Sequence, residues 1–237
     1  MDRKQAALAF GGNMRRDELD PLPYAEGYPS LLSVTGRVDI HSLVAKFLSD
    51  SRTQGAYLEF GVGKGRSAVS ALRAYRRENV CDRYILCDSF EGLPELTGVD
   101  VGSRQFQRGD YAFDQPAVEA FLERYGVADA APISFLKGWF GPDTADEVTQ
   151  VLGDSPVAVI HVDVDLYESC GWVLQAVTRH VRPGVVMLFD DWNCFNASNR
   201  FGERRATAEW LRANPGFELN ELSSYGWHGR AFVFDCL

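Results

Sequence analysis

The sequence predicts an α/β protein with a doubly wound, mostly parallel sheet, and three observations carry that expectation. Strand-like runs alternate with segments of helical period along most of the chain. The runs VAVIHVD (157–163) and VVMLFD (185–190) are almost wholly apolar, as strands covered by helices on both faces are. The last two strand-like runs are separated only by Ser223–Arg230, too short for a crossover helix, so they form an antiparallel hairpin with one strand reversed.

Taken in order, residues 1–55 precede the sheet, and Val38–Ser49 reads as a helix within them. This segment is expected to serve as a lid or an oligomer contact. Seven strands are predicted from β-branched and aromatic runs bounded by turn residues: Tyr57–Phe60, Tyr84–Asp88, Ile133–Leu136, Val157–Asp163, Val185–Asp190, Phe217–Leu222 and Ala231–Asp235. Helices lie between them. Arg66–Arg77 carries Ala68, Val69 and Leu72 on one face, and Pro116–Tyr125 opens on a proline suited to a first turn. Glu168–Val181 runs up to the stop signal Pro183-Gly184, and Arg204–Ala213 precedes the sixth strand. Residues 56–237 thus read as one domain with a Rossmann-like sheet of seven strands, a size in keeping with roughly 100–200 residues per domain.

Composition narrows the partners. Thirty-three acidic against 24 basic residues give a net charge of −9, which argues against a general binder of nucleic acid or anionic membrane. Only four of the basic residues are lysines (Lys4, Lys46, Lys64, Lys137), so a lysine base has few candidates. The five cysteines include no C-x-x-C pair, which excludes a disulfide framework or zinc ribbon, and Cys87 and Cys236 read as small hydrophobes in strands. No stretch reaches the roughly 20 apolar residues of a membrane helix, and Ala6–Phe10 is too brief for a signal core; a cytoplasmic protein is expected.

The loop after the first strand, Glu59-Phe-Gly61-Val-Gly63-Lys-Gly65-Arg-Ser67, opens a helix. Glycines there let backbone approach a ligand closely, and the helix start offers free N–H groups. A dinucleotide fingerprint would need glycine where Arg66 stands, and a Walker loop is absent. The remaining pattern, an acid followed by G-x-G-x-G, is similar to motif I of the S-adenosylmethionine (SAM) methyltransferases. Asp88, closing the second strand, is placed either to accept hydrogen bonds from a ribose diol or to cap the next turn. Glu59 either orients loop amides or meets the ammonium group of the cofactor. Trp139, just past the third strand, is either plain core or a cover for adenine.

A second constellation is acidic. The fourth strand ends His161-Val-Asp163-Val-Asp165 and the fifth Phe189-Asp190-Asp191. If these strands are neighbours, four carboxylates converge where open α/β sheets bind ligands, at a cost in desolvation and repulsion that a divalent cation would offset. Oxygen ligands favour Mg²⁺, with Mn²⁺ or Ca²⁺ as alternatives. Asp191 and Asp165 have a plainer alternative as caps of the turns that follow them. A cation acidifies a coordinated hydroxyl, and a carboxylate it does not consume can take the proton. By a strand period of two, Asp165 shares the face of Asp163 and is the candidate base. His161 and His228 read as a structural residue and a turn residue.

The segments EFGVGKGRS (59–67), CDSFEGLP (87–94), KGWF (137–140), HVDVDLYES (161–169) and LFDDW (188–192) occur in the order found in the macrocin O-methyltransferase family, which the chain resembles over about residues 55–195. That family includes Mg²⁺- and SAM-dependent enzymes that methylate sugar hydroxyls in macrolide and aminocoumarin antibiotics. The resemblance implies a class I SAM methyltransferase fold, a metal held by Asp163, Asp190 and Asp191, and Asp165 as general base. It implies that Glu59, Gly61, Ser67, Asp88 and Ser89 contact SAM; Gly63, Trp139 and Asp163 complete the candidate cofactor set. It also implies a small glycoside or sugar as substrate and a homodimer or larger homo-oligomer. A catechol-type O-methyltransferase is the nearest alternative, but such enzymes carry a lysine shortly after the fourth-strand aspartate, and here Leu166 and Tyr167 follow Asp165. A haloacid-dehalogenase-like phosphatase would place its D-x-D motif on the first strand rather than the fourth. A non-catalytic SAM- or metal-binding regulator would not need the intact carboxylate set.

Overall fold

The computed structural model describes residues 39–237. Residues 1–38, and with them most of the segment expected to act as a lid, lie outside the described residues. The first helix, α1 (Ile40–Ser51), starts two residues later than the sequence predicts because Asp39 caps it, its carboxylate accepting from the Ser42 amide at 3.4 Å. Its apolar stripe, Val44, Ala45 and Leu48, is fully buried in the same core as β1.

The sheet elements follow in alternation: β1 (Ala56–Phe60), α2 (Arg66–Arg77), β2 (Tyr84–Asp88), α3 (Gln115–Arg124), β3 (Ile133–Lys137), α4 (Thr144–Leu152), β4 (Val157–Val162), α5 (Tyr167–Val177) and β5 (Val186–Phe189). A short helix α6 (Cys194–Ala197), then α7 (Gly202–Ala213), β6 (Phe217–Tyr225) and β7 (Gly229–Cys236), complete the chain. The seven strands form one sheet in the order β3-β2-β1-β4-β5-β7-β6. β1 to β5 pair in parallel, while β7 runs antiparallel to both β5 and β6, so β7 is the single reversed strand the short connection predicts.

Alternation along the strands divides the core. Tyr57, Leu86 and Val159 face the layer holding α1, α2 and α3, whereas Leu58, Phe60, Ile160 and Phe189 face α4, α5 and α7. Each fully buried Leu, Ile or Phe contributes roughly 1.5–3 kcal/mol, and the central strands β1, β4 and β5 are buried at every position. This explains why their runs are almost wholly apolar.

Four details depart from the expectations. α4 is a full helix between β3 and β4 whose polar composition, TADEVTQVL, hides a buried face of Val148 and Leu152. α5 ends at Val177 rather than Val181, because the amides of His180 and Val181 turn back onto the Val177 carbonyl. β6 extends to Tyr225 through a bulge between Glu221 and Ser223 that keeps it paired with β7. Cys236 lies in a strand but is exposed, unlike the buried Cys87. Among the described residues no helix is long and apolar enough to cross a membrane.

Candidate active site

The strand order places β1 and β4 side by side at the centre, with the chain leaving β1 toward β2 and reaching β4 and β5 on the other side. This is the switch point at which open α/β sheets form a crevice beyond their strand ends. The glycine loop and the aspartates occupy its two lips. They meet at Gly61, which has φ +85°; a Cβ there would lie 1.7 Å from the Asp163 carbonyl oxygen, so only glycine fits. The Asp163 amide donates to the Phe60 carbonyl at 2.8 Å and the Asp190 amide to the Val162 carbonyl at 2.9 Å, which ties the three strand ends together.

On the β1–β2 lip the polar groups are paired within the protein. Asp88 accepts from the Val62 and Gly63 amides through one oxygen, at 2.7 and 3.1 Å, and from the Phe90 amide through the other at 2.7 Å. It therefore shapes the loop, whatever else it contacts. Glu59 is fully buried; its carboxylate accepts from the Ser67 hydroxyl and, at 2.9 Å, from the Tyr57 hydroxyl. Burial outweighs these two donors and pushes Glu59 up to about 8. Ser89 is engaged locally, donating to the Gly92 carbonyl at 2.9 Å and accepting from the Glu91 amide. Gly63 faces open space. Trp139 is not core: 53% of it is exposed, and its indole N–H donates to the Gly92 carbonyl at 3.2 Å.

The β4–β5 lip is the opposite. Both strands stop one residue short of the expectation, so Asp163 and Asp190 stand just beyond the ladder rather than within it. Asp165 reaches the site through a left-handed residue, φ +58°, and not through the strand period that the sequence argument used, because β4 has already ended. Its alternative as a helix cap is excluded: the buried Asp100, from a distant loop, accepts from the Tyr167 and Glu168 amides at the start of α5. Asp191 does accept from the Cys194 thiol at 3.1 Å, yet its other carboxylate oxygen is buried without a partner. Burial first, then the neighbouring carboxylates, push Asp163 and Asp165 well above the usual carboxylate range, with Asp190 the strongest neighbour of Asp163 and Asp191 that of Asp165.

Three residues join this lip that the sequence reading missed. Glu203 in the first turn of α7 is 1% exposed; one oxygen accepts from the Asp191 amide at 3.0 Å, and the other has no partner. Reading that helix from Arg204 hid it. His228, read as a turn residue, brings Nδ1 within 3.4 Å of an Asp190 carboxylate oxygen, and Asp190, Asp191 and His228 offer ligand atoms all within 4.8 Å of one another. Asp163 is not in that tightest group. Tyr111 is exposed with a positive φ of 61°; partial burial and then the charges of Asp165 and Asp191 push its phenol up to about 12. A groove of about 510 Å³ lies between α5 and α7, lined by Tyr167, Gln175, Glu209 and Trp210, and none of the candidate carboxylates lines it.

The donor set suits a hard divalent cation. It consists of converging carboxylate oxygens, one of them buried with no hydrogen bond, in a site where unneutralised charge is costly. The glycine lip suits a small ligand, since Gly63 leaves space above a loop whose amides are already ordered.

The family model of macrocin O-methyltransferase (TylF) matches residues 10–214. The 8-demethyl-8-(2,3-dimethoxy-α-L-rhamnosyl)-tetracenomycin-C 4′-O-methyltransferase of Streptomyces olivaceus is 32% identical over 187 residues, 74% of this chain and 68% of that protein. The demethyldecarbamoylnovobiocin O-methyltransferase of Streptomyces niveus is 30% identical over 148 residues, 58% of this chain and 53% of that one. The solved O-methyltransferase NovP superposes with a TM-score of 0.63 at 21% identity, covering 82% of this chain and 78% of its own, a likeness of fold. The chain belongs to the macrocin O-methyltransferase family and is a SAM-dependent O-methyltransferase.

Proposed function

We propose that this member of the macrocin O-methyltransferase family transfers a methyl group from SAM to a hydroxyl of a sugar, or another vicinal diol, in natural-product biosynthesis. On this reading Asp163, Asp190 and Asp191 hold a divalent cation, Mg²⁺ first, and Asp165 is the general base. The convergence of four carboxylates beside the glycine loop, with a buried unpartnered oxygen on Asp191, is the observation that carries it.

When bound, SAM supplies an electrophilic methyl group and the cation supplies positive charge that acidifies a hydroxyl held against it. The chain's own residues do the rest. Glu59, Gly61, Gly63, Ser67, Asp88 and Ser89 form the donor side, where the loop amides ordered by Asp88 make a rigid floor. Trp139, half exposed beyond β3, covers its edge. Asp163, Asp190 and Asp191 form the acceptor side and fix two adjacent hydroxyls by one edge. Asp165, held by its left-handed backbone beside them, takes the proton of the hydroxyl to be methylated. Alignment of the two sides is the larger part of the catalysis, because methyl transfer to oxygen is an in-line displacement.

The sugar acceptor is inferred from relatives that carry rhamnosyl and novobiocin substrates in their names. Residues 56–237 are the methyltransferase domain on this reading and residues 1–55 a lid or oligomer contact, in a homodimer or larger homo-oligomer. All five cysteines are free, which suits the reducing cytoplasm.

Calorimetric titration with S-adenosylhomocysteine, with and without Mg²⁺ and with NAD as control, tests the donor side. Micromolar binding of the homocysteine compound is expected, followed by Mg²⁺-dependent methylation of rhamnosyl glycosides. Absence of binding in both conditions would overturn the donor site, and methylation of the glycoside undiminished by chelator would overturn the cation.

A further inference from the structure

We propose that His228, at the tip of the β6–β7 hairpin, is a positioning residue for the cation site: its Nδ1–H, bonded to the Asp190 main-chain carbonyl, pins that residue's backbone where its carboxylate can meet a divalent cation. The proposal rests on the cation reading above and adds to it a residue from a different part of the fold.

The hairpin reaches the site because β7 runs antiparallel beside β5, with Arg230 opposite Phe189. The turn before β7 therefore lies at the strand end from which Asp190 and Asp191 project. It is fastened there at both edges. The Asn193 amide donates to the His228 carbonyl at 2.9 Å, and the Asn193 side chain donates to the Trp227 carbonyl at 3.0 Å. Asn193 is itself held by Arg204 at 2.8 Å. The His228 side chain is 13% exposed and packs edge-on against Trp227.

The hydrogen bond decides the role. His228 Nδ1 is bonded to the Asp190 main-chain carbonyl and stands 3.4 Å from a carboxylate oxygen of the same residue. A carbonyl oxygen only accepts, so Nδ1 carries the proton and has no lone pair to offer a metal. Nε2 points toward the hairpin, where a Cβ on Gly226 would lie 3.4 Å from it. Although His228 is close enough to be counted with Asp190 and Asp191, its geometry is that of a donor to the main chain of Asp190. The Asp190 side chain is 26% exposed and its neighbours are carboxylates. Groups that fix the placement of a metal's ligands typically change its affinity by about 10–100-fold.

The test measures Mn²⁺ binding by electron paramagnetic resonance in the wild-type protein and in His228→Leu, His228→Asn and His228→Gln, with metal-free S-adenosylhomocysteine affinity as the control for folding. An asparagine amide places its N–H where Nδ1 stands, and a glutamine places it near Nε2. The expectation is Mn²⁺ affinity about 10–100-fold weaker in the Leu and Gln variants, largely restored in the Asn variant, with homocysteine-compound binding unchanged in all. Equal Mn²⁺ affinity in wild type and His228→Leu overturns the positioning role, as does failure of Asn to outperform Gln. A directly coordinated imidazole nitrogen in the electron spin-echo spectrum of the wild type overturns it in favour of a ligand. Absence of Mn²⁺ binding by the wild type overturns the cation reading itself, a separable outcome.

Discussion

The two lips of the crevice are built from the same materials, buried carboxylates at parallel strand ends, yet they are in opposite states. On the β1–β2 lip every candidate acid has its donors: Asp88 accepts three amides, and Glu59 accepts two hydroxyls. On the β4–β5 lip the acids face one another, and oxygens of Asp191 and Glu203 are buried with no partner. The first lip is complete as a protein structure. The second is not, because its acids must either hold protons or find a compensating positive charge. The difference is what the proposed division into a donor surface and a cation centre would require.

The sharpest way to test that division is Asp165→Asn, which removes the proposed base and leaves the ordered lip alone. Turnover is expected to fall about 10²–10⁴-fold, with homocysteine-compound and Mn²⁺ binding retained; unchanged turnover would remove Asp165 from the chemistry. Asp190→Asn comes next. Its Mg²⁺ requirement should rise about 10-fold or more, and an unaltered Mg²⁺ titration would take Asp190 out of the cation site.

Protonation gives the smaller effects. Asp163, Asp165 and Glu203 are raised well above their usual values, chiefly by burial, and Glu59 to about 8. The folded protein therefore binds more protons than the unfolded chain, and stability falls as pH rises through this range. For Glu59 the window runs from 4.5, its ordinary value, to about 8. Metal-free melting temperature should decline by several degrees across that window, and Mg²⁺ should flatten the decline if the acidic lip is its main source. A melting temperature that rises with pH would contradict the burial argument. Glu59→Gln should remove a smaller part of the same decline, and that part should be indifferent to Mg²⁺. If Mg²⁺ abolishes the difference between Glu59→Gln and wild type, the two lips are not independent.

Much of this was legible in the sequence because periodicity and loop chemistry are local. α2 and β2 have the boundaries that sequence pattern predicts, and the short Ser223–Arg230 connection foretells the reversed strand. Asp163, Asp165, Asp190 and Asp191 were legible as a group because parallel strands bring their ends together whatever else the chain does. α4 was not, since its apolar positions are too few to stand out from its polar ones.

What the sequence by itself determined is the set of elements, their order in the chain and the two motifs at the strand ends. Only the tertiary structure decided which polar groups are satisfied and which are not. Asp100 rather than Asp165 caps α5, across 67 residues of chain, and that leaves Asp165 available. Glu203 and His228 enter the acidic lip from α7 and from the last hairpin, at distances in sequence that no spacing rule connects. The physical reason is that a hydrogen bond depends on where two atoms end up to within a few tenths of an ångström. Packing of the whole sheet, not local pattern, sets that position.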